Sequence, residues 1–316
     1  MRHPLHLDEE DQAIRGTNDE ATVGKMSAVT RGYYRDEFVS AFGPRHGVPH
    51  ALPPLMNRGH YARSMAIQTV AERFLTQVEG LPAARQIVSL GCGFDTLYFR
   101  LRSASRATTD CLRYFEVDFE QVVHRKRTVM ASDARFLPFV AEEERYVLLE
   151  CDLRSTAELA KRLQERGFAA EVPTLFLSEC VLIYMSAEEG SSIIRWAARL
   201  PHAFFCTYEQ IRPHDAFGKT MIRNLEARNI PLHSLLRYPE LADQRRRYVE
   251  EGGFGRAAAR TMLDVFDAYL PAEDTRRIAA IEMFDEFEEW QLILSHYCLV
   301  AAGPVTDEAL WNAIKF

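Results

Sequence analysis

Gln86-Ile87-Val88-Ser89-Leu90-Gly91-Cys92-Gly93-Phe94-Asp95-Thr96 is a short β-rich run that breaks into a glycine turn. A brief apolar run closed by glycine reads as a buried strand. The texture recurs four times: residues 113–117 end at Asp118, 146–151 at Asp152, 173–178 at Glu179 and 203–208 at Glu209. Helix-like segments, such as residues 155–166 and 186–199, lie between these runs. Strands alternating with helices predict βαβ units, hence an α/β fold around a parallel sheet.

Working outward, residues 256–262 and 295–301 read as a sixth and a seventh strand. Residues 210–255 are too long for a plain connection. Helical patterns over 213–228 and 238–252, stopped by Gly252-Gly253, predict an inserted helical lid. On the N-terminal side, residues 21–80 predict two helices. The second carries an apolar stripe at Ala62, Met65, Ala66, Val70, Phe74 and Val78. A turn-rich link from Gly43-Pro44-Arg45-His46-Gly47 to Pro53-Pro54 separates them. Residues 1–20 are polar and read as a flexible tail. The expected organisation is therefore a tail (1–20) and one domain (21–316). Its parts are N-terminal helices (21–80), a ligand-binding core (86–208), a lid (210–255) and closing strands and helices (256–316).

The 316 residues carry 38 basic and 45 acidic side chains, a formal charge of −7. A polynucleotide partner is disfavoured, because such binders carry a basic footprint. None of the six cysteines lies at CxxC spacing, so no metal is expected. Reduced thiols and no apolar run near the roughly 18 residues of a membrane span predict a cytoplasmic protein away from the membrane. The basic runs His124-Arg125-Lys126-Arg127 and Arg245-Arg246-Arg247 read as solvated faces.

Ligands of an open parallel sheet bind beyond the carboxyl ends of its strands. Those ends read Gly91, Asp118, Asp152, Glu179 and Glu209. Gly91 and Gly93 allow backbone to approach a ligand closely. A dinucleotide turn would place a third glycine where Thr96 stands, and no phosphate-binding Lys-Ser or Lys-Thr follows. Asp118, ending the next strand, can accept both hydroxyls of a ribose, and Asp152 can reach an adenine edge. An acidic rim without a pyrophosphate loop suits a phosphate-free, cationic nucleoside: S-adenosylmethionine.

Several motifs resemble the leucine carboxyl methyltransferase family. They are Asn57-Arg58-Gly59-His60-Tyr61-Ala62-Arg63, residues 89–96, Tyr114-Phe115-Glu116-Val117-Asp118-Phe119, Asp152-Leu153-Arg154, Ser178-Glu179-Cys180-Val181-Leu182-Ile183-Tyr184-Met185 and Tyr208-Glu209-Gln210. The resemblance runs from about Arg15 to Leu299. It implies a class I S-adenosylmethionine-dependent methyltransferase, with a Rossmann-like, seven-stranded, mostly parallel sheet. It also implies an acceptor, the C-terminal leucine carboxylate of the protein phosphatase 2A catalytic subunit. By the same resemblance Lys25 lines the cofactor pocket and Arg63 holds the methionyl carboxylate. Gly91 contacts the cofactor, Asp118 holds the ribose, Asp152 and Leu153 the adenine, and Glu179 the methionyl end. Cys92 departs from the alanine or serine of that loop.

The reaction so implied is in-line methyl transfer to a carboxylate. A C-terminal carboxylate, with a pKa of roughly 3.5, is ionised at neutral pH, so no general base is required. Alignment and exclusion of water remain. Tyr184, just beyond the fourth strand, is the candidate to orient the acceptor, with the lid as a peptide sleeve. The alternatives are carboxyl methylation of a wybutosine intermediate in tRNA and a non-catalytic scaffold. The acidic balance, and an end at Phe316 without that relative's repeat extension, favour the protein acceptor. Intact acidic strand ends favour turnover.

Overall fold

A computed structural model describes residues 4–44, 52–76, 84–142 and 144–316. Seven strands form one sheet: β1 (Arg85–Leu90), β2 (Leu112–Asp118), β3 (Tyr146–Glu150), β4 (Thr174–Glu179), β5 (Ala203–Gln210), β6 (Arg256–Thr261) and β7 (Tyr297–Gly303). Their order is β3-β2-β1-β4-β5-β7-β6. The first five are parallel, and β7 runs antiparallel to both β5 and β6. The expected seven-stranded, mostly parallel sheet is present, with each strand within two residues of its sequence reading.

The strands are continuous apolar runs because both faces of the sheet are covered. Ile87, Tyr114, Leu175 and Phe204 turn to one face, and Val88, Phe115, Phe176 and Phe205 to the other. The first face is covered by helix α2 (Pro54–Leu75) and helix α3 (Leu97–Ala104). α2 starts on a proline, the helical position where a missing N–H costs nothing. Tyr61, Ala62, Ala66, Val70 and Phe74 then form its buried stripe, as the spacing predicts. Val78 and most of the turn-rich link (45–51) lie outside the described residues. The second face is covered by the helices Thr156–Glu165 and Ala187–Ala198. The latter opens with a capping box between Ser186 and Glu189.

Two expectations need correction. Residues 4–20 are not a loose tail but the first part of α1 (Pro4–Thr30), a helix lying across the carboxyl ends of the strands. Its polarity serves tertiary partners: Asp11 pairs with Arg154 at 2.8 Å, Asp19 with Arg125 at 2.8 Å, and Glu20 with Arg228. The segment between β5 and β6 is also not wholly a lid. Its first helix, Ala216–Glu226, stands at the rim. The later helix Leu241–Arg246 and the π-helical turn Arg247–Glu251 pack under the sheet, where Arg247 and Tyr248 are fully buried. Phe205 and Phe254 hold the Tyr248 ring.

β1 is flanked by β2 on one side and β4 on the other, so the order of the chain reverses there. The crevice of a doubly wound sheet opens at that reversal.

Candidate active site

The carboxyl ends of β1, β2 and β4, together with α1 and α2, enclose a cavity of about 810 Å³. The glycine turn forms its floor. Gly91 and Gly93 have φ of +62° and +52°, left-handed values that favour glycine. A Cβ on Gly91 would come within 2.6 Å of Val181 Cγ2, and one on Gly93 within 2.5 Å of Asn18 Oδ1. Both glycines line the cavity, and neither position admits a side chain. Two side chains hold the turn from behind. Asn18 of α1 accepts the Phe94 N–H at 2.8 Å, and Lys126 donates to the Asp95 carbonyl at 2.7 Å.

Lys126 is the middle of a run that reads as a solvated face, yet it is fully buried and paired with the buried Glu116 at 2.5 Å. The helix Glu120–Ser132 buries Val122, Val123, Lys126 and Met130 on one stripe, so helical spacing carried the signal. Arg247 of the second basic run is likewise buried, 2.9 Å from Glu209. That pair removes Glu209 from the rim. Alternation along β5 turns Glu209 beneath the sheet, while Tyr208 and Gln210 face the cavity.

Asp118 ends β2 beside the turn. Its two oxygens accept the Gly93 and Phe119 N–H groups, each at 2.7 Å. Burial raises its carboxyl above the ordinary range, and these two donors offset part of the rise. Each oxygen retains a lone pair, enough for a vicinal diol. Asp152 is more exposed than expected. Arg154 engages both its oxygens, at 2.9 and 2.7 Å, and reaches on to Asp11 of α1. Burial favours the neutral acid of Asp152, but the Arg154 hydrogen bonds outweigh it and lower the pKa. The Arg15 and Arg154 guanidiniums lie over the Phe119 ring, which lines the same end of the cavity as Leu153.

The other end is a charged cluster. Glu179 Oε1 takes Lys25 Nζ at 3.1 Å and the Nε–H of Arg63. Lys25 also meets Asp95 at 3.2 Å. Burial opposes ionisation of Glu179, but Arg63 and then Lys25 overcome it and hold the carboxyl below its usual range. Burial likewise opposes the charge on Lys25, and Asp95 and Glu179 reverse that and push it up. All four groups are therefore charged at neutral pH. Among the described residues no acceptor engages the Arg63 Nη groups, so these donors are available to an anion in the cavity. Arg63 also lies over the Tyr208 ring at 5.3 Å. Tyr184 lines the same wall, where burial pushes its hydroxyl pKa up and keeps it a neutral donor.

Lys25, Arg63, Gly91, Gly93, Asp118, Asp152, Leu153, Glu179 and Tyr184 thus line one cavity. Sequence reading overlooked Asp95, Asn18 and Lys126. Asp95 was legible as an acid inside the glycine turn. Asn18 was not, because its role depends on where α1 crosses.

This fold and site define a class I S-adenosylmethionine-dependent methyltransferase. A DUF574-family protein of Streptomyces avermitilis shares the fold with a TM-score of 0.55 at 14% identity, covering 79% of this chain and 86% of that one. The signature of the leucine carboxyl methyltransferase family matches residues 13–198. The chain belongs to that family. It is 35% identical to the leucine carboxyl methyltransferase 1 homolog of Arabidopsis thaliana, over 92% of this chain and 89% of that protein. It is 39% identical to the human tRNA wybutosine-synthesizing protein 4, over 92% of this chain but only 44% of that protein's length.

The residues fit the cofactor. The glycine turn would cradle the nucleoside, and Asp118 would offer two acceptors to the ribose. The Arg63 and Lys25 cations suit an amino-acid carboxylate, and Glu179 and Asp95 suit an ammonium and a sulfonium. No cluster of metal-binding side chains occurs among the described residues.

Proposed function

We propose that this enzyme esterifies the α-carboxylate of the C-terminal leucine of the protein phosphatase 2A catalytic subunit, in the cytosol. The observation that carries the reading is Arg63. It lines the cavity between Glu179 and the Tyr208 ring, bonded to Glu179 through Nε, beside a second buried cation, Lys25. A carboxyl methyltransferase must hold two carboxylates close together, one on the donor and one on the acceptor. Two adjacent cations against Glu179 and Asp95 supply that balance.

S-adenosylmethionine, when bound, supplies a methyl group activated by a sulfonium. The chain's residues do the rest. Asp118 grips the ribose, and Asp152, Leu153 and Phe119 line the adenine end. Arg63 and Lys25 bind the methionyl carboxylate, and Glu179 orients them. The neutral Tyr184 hydroxyl donates to the acceptor carboxylate and aims one oxygen at the methyl carbon. The acceptor is already ionised, so no residue has to remove a proton. Positive and negative charges cancel as the methyl moves, so a cavity closed by α1 favours transfer.

A second reading has a specific observation behind it, the 39% identity to the human tRNA wybutosine-synthesizing protein 4. On that reading the acceptor is a carboxylate on a tRNA base. One experiment decides. The enzyme is incubated with labelled methyl donor and either phosphatase catalytic subunit or hypomodified tRNA. Mass spectrometry then looks for a gain of about 14 Da on the terminal leucine, the mass of the CH₂ that esterification adds. Label on tRNA alone selects the second reading, and label on neither rejects both.

A further inference from the structure

β5 delivers Gln210 to the cavity wall two residues beyond Tyr208, on the same side of the strand. The residue is only 4% exposed. Its register partner is Tyr297 on β7, whose ring stacks on Tyr208 at 5.2 Å and 19°. Gln210 and Tyr297 are hydrogen-bonding neighbours, the amide offsetting part of the rise that burial gives the Tyr297 hydroxyl, to about 12. The Gln210 carbonyl oxygen, Oε1, is buried and has no hydrogen-bond partner among the described residues. A buried acceptor left unpaired is costly, so such a group at a cavity wall calls for a donor that arrives with a ligand.

The donor is not expected to come from the cofactor. Adjacent strands are about 4.8 Å apart, so β5 stands roughly 10 Å from the glycine turn on β1, with β4 between. Arg63 of α2 lies over the Tyr208 ring of β5. What reaches this far is the acceptor. In a C-terminal leucine, the backbone N–H sits on the same carbon as the carboxylate that Tyr184 would orient.

We infer that Gln210 is a specificity-determining residue of the acceptor subsite, its Oε1 accepting an N–H borne on the carbon next to the acceptor carboxylate. It selects α-amido carboxylates and leaves simple carboxylates, such as side-chain acids, poorly held. This rests on the protein-acceptor reading above.

The test uses the full-length enzyme and phosphatase catalytic subunit made by ligation to end in leucine, in N-methylleucine, or in the hydroxy-acid analogue joined by an ester. The second and third substrates lack the N–H. Wild type is expected to show KM raised at least tenfold on both, with kcat changed less. Gln210→Met, close in shape but without the acceptor, is expected to show the same rise on the leucine substrate and no further loss on the others. Its adenosylhomocysteine affinity should equal that of wild type. Equal KM for all three substrates with wild type overturns the inference without recourse to a variant. So does a Gln210→Met change confined to cofactor affinity. Lack of methylation of the leucine-terminated subunit by wild type is a different result: it rejects the acceptor assignment itself.

Discussion

Arg63, Lys25, Asp95 and Glu179 form a buried set in which each charge is tolerable because of its neighbours. Removing one member therefore exposes the others. Arg63→Ala leaves Glu179 to Lys25 alone and removes the Nη donors from the cavity. Adenosylhomocysteine affinity should fall at least tenfold by calorimetry, and unchanged heat would reject the role of Arg63. Tyr184→Phe deletes only a hydroxyl. On the proposed reading it should lower kcat on the phosphatase subunit by tenfold or more while leaving cofactor affinity within twofold. At Gly91 the backbone decides: φ of +62° and Val181 at 2.6 Å leave no room for a methyl group. Gly91→Ala should abolish measurable cofactor binding, read by the same titration.

α1 is the element whose part was least expected. Its polar residues look like a solvated tail because their partners come from four distant segments. Arg125 follows β2, Arg154 follows β3, Arg228 belongs to the insertion, and the Phe94 N–H belongs to the glycine turn. These pairs are partly exposed, individually weak and screened by salt. The N-terminal part of the helix is thus held across the cavity by separate, weak contacts, while residues 25–28 are buried. Raising salt from 0.05 to about 0.5 M shortens the screening length roughly threefold. Cofactor dissociation, followed by stopped-flow, should accelerate several-fold. Asn18→Ala, which loses the acceptor for Phe94, should show part of that acceleration at low salt. A salt-independent dissociation rate would mean that α1 does not gate the cavity.

The whole molecule responds to acid through the α1–α2 contact. His60 of α2 packs on Gly24 of α1, where a Cβ would lie 1.9 Å from its Nε2. Burial first, then Arg63 and Lys25, lower its pKa to about 3. The unfolded chain protonates near 6.5, so between these values the unfolded state binds more protons. Stability then rises with pH through this window and is lost on acidification. The depressed carboxyls of Glu179 and Asp95 act in the same direction below about pH 4. At pH 5, His60 alone should cost roughly 2 kcal/mol relative to pH 7. Urea denaturation should show this difference in wild type and a smaller one in His60→Gln. An unchanged pH dependence in the variant would show that His60 is not the group responsible.

Periodicity and strand-end chemistry make the sheet, its order of elements and most of the cavity-lining residues legible in the sequence alone. Apolar runs alternating with helical segments read as strands of a parallel sheet, and Gly91, Asp118 and Glu179 close three of them. Each of these signals is local: a run, a turn, a terminal side chain. Other features were not legible, because they depend on which distant group each side chain meets. Lys126 and Arg247 sit in basic runs typical of surfaces, yet each is neutralised by a glutamate on a neighbouring strand. Glu209 ends a strand as Glu179 does, but one step of alternation turns it to the opposite face. Residues 4–20 have no apolar stripe to announce a packed helix, because α1 is fastened by charge, and a charge does not reveal its partner until the chain has folded around it.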